Sequence, residues 1–253
     1  MKVIDTHAHY DDEAFDADRF ELLDELFREK VDRIVNVGCT LESSEAAIRL
    51  AERYGGMYAA VGIHPEETAS LPDDYLDRLR TLCRRPKVVA VGEIGLDHHR
   101  EEHDKELQRE RFREQILLAR EENLPIIVHS REATKETIEL LAEYRPKGVV
   151  HCFSGSAETA RELLDLGMMI SFTGVLTFKN AKKAAEACKA IPLDRMMLET
   201  DSPYMSPVPY RGKRCHSGMI YEIAQRAAEI KGIATEELLR ACNENAIRFF
   251  GLK

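Results

Sequence analysis

Six residues of ligand type fall at or near the ends of short apolar runs: His7 and His9 in VIDTHAH, Glu93 in VAVGEIG, His129 in IIVHS, His151 in VVHCF and Asp201 in MLETD. Imidazole nitrogen and carboxylate oxygen together suit Zn2+ or Mn2+, with Mg2+ fitting where carboxylate and water dominate. In the H-x-H pair a spacing of two turns both rings to one side of a strand, so they can meet one ion. Six donors exceed the three protein ligands of an open catalytic site. The surplus points to a pair of ions about 3.5 to 4 Å apart that share a carboxylate, with Glu93, on the middle strand of the set, as the candidate bridge. Cations so held lower the pKa of water toward neutrality, and the chemistry they favour is hydrolysis.

An isolated H-x-H, or a lone histidine at a strand end, is weak evidence for a metal, because such residues are commonly hydrogen-bonded structural groups. The argument rests on convergence, since carboxylates gathered without a cation would carry a desolvation penalty of several kcal/mol. Further residues fall near the same ends. Asp201 is read as both ligand and general base. His64 in VGIHP is a candidate to hold a phosphate oxygen or to protonate a leaving group, the plainer alternative being a loop histidine before a proline. Glu199, two residues before Asp201, is read as a carboxylate that orients a ligand, and Asp5 as structural or orienting. Arg131, Arg211, Lys213 and Arg214 are either solvated charge or the local attraction for an anionic substrate, and substrate contact is favoured for the 211–214 cluster.

The elements that must position these groups follow from hydrophobic period. Eight apolar, β-branched runs are expected to be strands: Val3 to His9, Arg33 to Gly38, Met57 to Ile63, Val88 to Ile94, Pro125 to His129, Gly148 to Phe153, Met168 to Thr173 and Met196 to Asp201. Between them lie amphipathic segments such as Asp104 to Glu122, where Phe112, Ile116 and Ala119 fall on one helical face. Nearly continuous apolar strands separated by helices imply a parallel sheet covered on its faces. Eight such units in about 250 residues predict an α/β protein with a (β/α)8 TIM barrel in a single domain, 1–253, whose reactive groups project from the C-terminal strand ends. A final helix, with Thr235 as its expected N-cap, closes the ring.

Composition bounds the partners. The chain has 253 residues, 44% hydrophobic and 32% charged, with a formal net charge of -9, which is the balance of a water-soluble globular protein. No run approaches the length of a membrane span and the start carries no basic, then apolar, leader, so no membrane association and a cytoplasmic location are expected. The six cysteines lie far apart without a C-x-x-C pair, consistent with reduced, mostly buried thiols. The acidic balance gives no bulk attraction to a phosphate backbone, which leaves a local patch or bound metal to draw an anionic substrate.

The residues resemble the TatD family of metal-dependent deoxyribonucleases, related to the amidohydrolase barrels. The likeness runs through DTHAH at 5–9, GIHP at 62–65, GEIGLD at 92–97, Gln108 with Phe112 and Gln115, HSREA at 129–133, HCFSG at 151–155, ETDSPY at 199–204 and RGKR at 211–214. The resemblance implies a (β/α)8 fold, two divalent ions on the six residues named above, and hydrolysis of phosphodiester bonds, often as a 3′-5′ exonuclease on DNA. DNA or another phosphodiester is then the transient partner. Two departures bear on substrate preference: Cys215, His216 and Ser217 follow RGKR where the family usually has Asn-Glu-Pro, and His98 stands where Tyr is common. The alternatives are an amidohydrolase-like or deacylase activity on a C–N or C–O bond in the same site, for which many amidohydrolases place a carboxylated lysine where Glu93 stands, and a scaffold with a vestigial metal site.

Overall fold

The computed structural model describes residues 1–253. Eight parallel strands run in the order β1 to β8 in one sheet with helices between them, the (β/α)8 barrel. The strands are β1 Val3–Ala8, β2 Val31–Val37, β3 Met57–Val61, β4 Val88–Asp97, β5 Ile126–Arg131, β6 Gly148–Val150, β7 Met169–Phe172 and β8 Met196–Leu198. The helices are α1 Arg19–Glu29, α2 Leu41–Arg53, α3 Tyr75–Cys83, α4 Lys105–Glu121, α5 Thr134–Tyr144, α6 Ala157–Asp165, α7 Lys182–Ala190, α8 Ile220–Lys231 and α9 Thr235–Phe250. No helix is long and apolar enough to cross a membrane.

Packing divides the chain into two compact units. The first comprises Met1–Asn36, Cys152–Asp165 and Met169–Lys253. In it, β1 meets the segment after β8 through a parallel bridge between Ala8 and Ser202, with His9 N donating to Ser202 O and Asp201 N to His7 O. Val3, Phe172, Met197, Ile223, Leu238 and Ala246 belong to its buried core. The α9 helix departs from expectation at its start: Leu238 N bonds to Ala234 O, so Ala234 is the N-cap and Thr235 already the first helical residue. The acids Glu236 and Glu237 lie in the first turn, where they favour the positive end of the helix dipole.

The second unit comprises Val37–His151 and Leu166–Met168. Here β4 runs to Asp97, beyond the Ile94 expected from the apolar run, because Gly95, Leu96 and Asp97 pair with His129, Ser130 and Arg131 of β5. Gly95 is obligatory at that pairing: a Cβ there would lie 2.0 Å from the carbonyl oxygen of His129, and its φ is +148°. The α4 helix begins on Asp104, whose side chain accepts from Leu107 N at 3.1 Å, and buries Phe112, Ile116 and Ala119 on one face. Truncating Phe112 to Ala would cost about 3 to 5 kcal/mol through lost burial and the cavity left behind. Two buried glutamines on the same helix hold backbone at the C-terminal ends of β3 and β4. Gln115 accepts from Ile63 N at 2.8 Å and donates to Ile63 O at 3.2 Å, and Gln108 accepts from Asp97 N at 3.0 Å.

Candidate metal centre

The strand ends differ from the sequence expectation in a way that matters for the site. Glu93 and His129 lie inside β4 and β5, while His9 and His151 each lie one residue past a strand and Asp201 three residues past β8. Asp201 therefore does not inherit its direction from strand alternation. It takes a left-handed conformation with φ 59°, which Asp tolerates better than most side chains, and Asp5 fixes the segment. Fully buried, Asp5 accepts from Thr200 N at 3.0 Å and from Thr200 Oγ1 at 2.5 Å. Burial pushes its carboxyl up to about 6, with the hydrogen bonds from Thr200 and His7 working the other way.

The first cluster, in the first unit, is His7, His9 and Asp201. The two Nε2 atoms are 3.0 Å apart, and Asp201 Oδ1 lies 3.6 Å from that of His7 and 3.3 Å from that of His9. Donor atoms on a tetrahedral ion with bonds of about 2.0 to 2.1 Å stand about 3.3 Å apart, so this triplet has the spacing of a ligand set. The second cluster, in the second unit, is built on Glu93. Its Oε1 lies 2.8 Å from His129 Nδ1 and 2.7 Å from His151 Nε2, and those two nitrogens are 3.3 Å apart. Both sets consist of the nitrogen and oxygen donors that a zinc- or manganese-like cation takes, and both are largely buried, so the residues present fit a divalent cation in each.

Asp97 completes the second cluster and was not singled out from the sequence. Its Oδ2 lies 2.9 Å from His129 Nε2, and its Oδ1 accepts from His99 N at 2.9 Å. A proton held on Nε2 by Asp97 would free the Nδ1 lone pair for a cation, the arrangement in which a carboxylate orients a ligating imidazole. Burial opposes the charge on Asp97, but the hydrogen bonds from His129 and the His99 amide, with Arg131 nearby, hold it down at about 2. For His129 burial likewise works against a proton, yet the hydrogen bonds with Asp97 and Glu93 carry its pKa upward. The sequence signal that could have found Asp97 is the last residue of GEIGLD, at the end of the strand carrying Glu93.

The remaining expected residues separate by partner. His64 caps the 3-10 turn Pro65–Glu67, its Nδ1 accepting from Glu66 N at 3.2 Å. That places the ring proton on Nε2, 3.6 Å from Glu93 Oε1, and burial holds the ring neutral with a pKa down at about 3. Glu199 is buried and follows β8, its Oε1 accepting at 2.6 Å from the amide of Cys152, the residue after His151. Arg131, Arg211 and Lys213 are exposed. Arg214 departs from the cluster it was grouped with: it forks onto Asp18 at 2.7 and 2.6 Å and lies over the Phe15 ring, a structural pairing. His216 faces Lys30, Arg214 and Glu25 at the α1 side of its unit, where burial lowers its pKa, and Cys215 is fully buried. Cys39, also not singled out from the sequence, has its Sγ 3.9 Å from Glu93 Oε2.

A family model described as TatD related DNase matches residues 4–251. The chain belongs to the TatD family. Among its relatives, the uncharacterized metal-dependent hydrolase YabD of Bacillus subtilis is 43% identical over 251 residues, 98% of each chain. The 3′-5′ ssDNA/RNA exonuclease TatD of Cronobacter turicensis is 34% identical over 247 residues, 93% of each. The crystal structure of YjjV, a TatD homologue from Escherichia coli K12, superposes with a TM-score of 0.94 at 31% identity, covering 99% of this chain and 98% of that one. This TatD-family chain is thus a metal-dependent hydrolase, and its two histidine and carboxylate clusters are its candidate metal-binding groups.

Proposed function

We propose that the chain, residues 1–253 acting as one catalytic domain in the cytoplasm, is a phosphodiesterase that removes nucleotides from the 3′ end of single-stranded DNA with two divalent cations. His7, His9 and Asp201 would hold one ion and Glu93, His129 and His151 the other. The observations that carry the reading are the ligand-like spacing of the first cluster, 3.0 to 3.6 Å, and the gathering of His129 and His151 on Glu93 in the second, and the name of the Cronobacter relative supports the substrate. When bound, Zn2+, Mn2+ or Mg2+ would lower the pKa of a water molecule and offset charge developing on the phosphoryl oxygens.

The chain's own groups supply the rest. Asp201, as ligand and general base, takes the proton of the attacking water. His64 is neutral, with its proton on Nε2, so it acts as a hydrogen-bond donor to a phosphoryl oxygen and not as a cationic acid. Glu199, through the Cys152 amide, keeps the loop that carries His151 in place. Arg131, Arg211 and Lys213 give an acidic chain, net charge -9, its local attraction for phosphate.

Nucleotide release from single-stranded DNA should stop in EDTA and return with Mn2+ or Mg2+; full activity after exhaustive chelation rules the mechanism out. Parallel assays on RNA, aminoacyl esters and lactones test hydrolysis at carbonyl carbon by the same site. Glu93→Ala should lose metal and activity while its circular dichroism stays that of the wild type. Elemental analysis that still finds two equivalents bound would remove Glu93 from the ligand set.

A further inference from the structure

Beside the first cluster lies a groove of about 870 Å³, lined by residues of the 12–16 and 203–214 segments. Its most exposed aromatic group is Tyr204, 53% accessible, with the apolar side chains of Met205 and Val208 also exposed in the same loop. Exposed together in one loop, these three side chains form the kind of apolar patch that marks a binding surface. Tyr204 is also not loose: its backbone N bonds to Asp201 O, and its hydroxyl donates to Asp12 Oδ2 at 2.7 Å. The ring is thereby held with its centroid 6.4 Å from that of His9, within the reach of a single nucleotide.

The charges of the groove are arranged asymmetrically. On the acidic wall, Asp12 is engaged by Tyr204 and by Ala14 N and Asp16 by Arg19 at 2.6 Å, while Glu13 is exposed to solvent. On the other wall, Arg214 is matched by Asp18, whereas Arg211 lies 3.9 Å over the Phe178 ring and donates to Ser206 O, and Lys213 lies over the Tyr210 ring. Those contacts position two cations without neutralising them.

We propose that this groove holds one unpaired nucleobase against the ring of Tyr204 with the flanking phosphate on Arg211 and Lys213, so that Tyr204 selects single-stranded substrate. The inference rests on the phosphodiesterase reading for its choice of ligand. A base in a duplex has both faces covered by its neighbours, so only an unpaired end can lay a face on the ring, and every base has a face to offer. Recognition of this kind is tolerant of sequence, and the phosphate contacts give it salt dependence.

The test measures binding apart from cutting. A fluorescein-labelled, phosphorothioate-linked oligo(dT) is titrated with Mn2+-loaded protein and followed by anisotropy, beside the same strand carrying abasic sites. Tyr204→Ala and Tyr204→Leu should weaken oligo(dT) binding about 5- to 150-fold, the range of one base-to-aromatic stack. Tyr204→Phe, which keeps the face and loses the Asp12 bond, should stay near wild type, and the abasic strand should not distinguish the four proteins. Oligo(dT) binding to Tyr204→Ala as tight as to wild type overturns the proposal. So does a change of sedimentation coefficient in Tyr204→Ala with binding unaltered, which would assign the face to a second copy of the chain. Wild type that binds through Tyr204 but releases no nucleotide from unmodified DNA refutes the phosphodiesterase reading and leaves the groove assigned. Wild type that cuts DNA with no dependence on Tyr204 does the reverse.

Discussion

Replacing Asp97 with Asn isolates the group that aims His129, because the change is nearly isosteric and leaves all six proposed ligands in place. The carboxylate now serves two donors, Oδ2 facing His129 Nε2 at 2.9 Å and Oδ1 facing the His99 amide at 2.9 Å. An Asn side chain has one oxygen for the two. Whichever donor keeps it, the other meets an NH2 group, and His129 gains a reason to carry its proton on Nδ1, where it could not ligate. Loss of such an orienting carboxylate weakens metal binding about 10- to 100-fold, or about 1.4 to 2.7 kcal/mol. Competition against a chromophoric chelator should resolve this as one weakened site and one unchanged site, since Asp97 touches only the His129 cluster. Thermal unfolding of the metal-free protein serves as the control for fold. Two wild-type affinities in Asp97→Asn would show that His129 needs no partner on Nε2, and the orientation argument would be wrong.

Three further outcomes follow from other parts of the chain. Burial pushes the thiols of Cys83, Cys215 and Cys242 up to about 12 and that of Cys188 to about 11, so iodoacetamide near neutral pH should label only the partly accessible Cys39 and Cys152 in native protein. Peptide mass spectrometry reads the pattern, and early modification of the four buried thiols would contradict it. Gly95→Ala forces a Cβ against His129 O and should lower stability by at least about 1 to 3 kcal/mol, seen as a reduced urea midpoint; an unchanged midpoint would mean that β4 and β5 part easily. The hydrogen bonds from Arg214 lower the pKa of Asp18, so their contribution is complete above the unfolded carboxylate value of about 3.9 and fades as pH falls through the folded one. The melting-temperature gap between wild type and Arg214→Met should therefore narrow in acid, and a gap that widens would reverse the assigned sign.

The order of elements and the residue types at the strand ends could be read without coordinates, because burial imposes period and apolar runs on a chain before it folds. The six proposed ligands, His64 and the basic 211–214 segment were all visible in this way. What could not be read was anything fixed by a partner distant in sequence. The reach of β4 to Asp97 depends on pairing with β5, and the role of Asp97 depends on His129, 32 positions away. Arg214 looked like part of a substrate patch until Asp18, 196 positions off, took its charge. Asp201 was expected to follow strand alternation, but β8 ends at Leu198 and the buried Asp5 sets the turn that aims it. Composition and period thus specify which groups a chain brings to a strand end, while hydrogen bonds made only on closure of the fold decide where each one points.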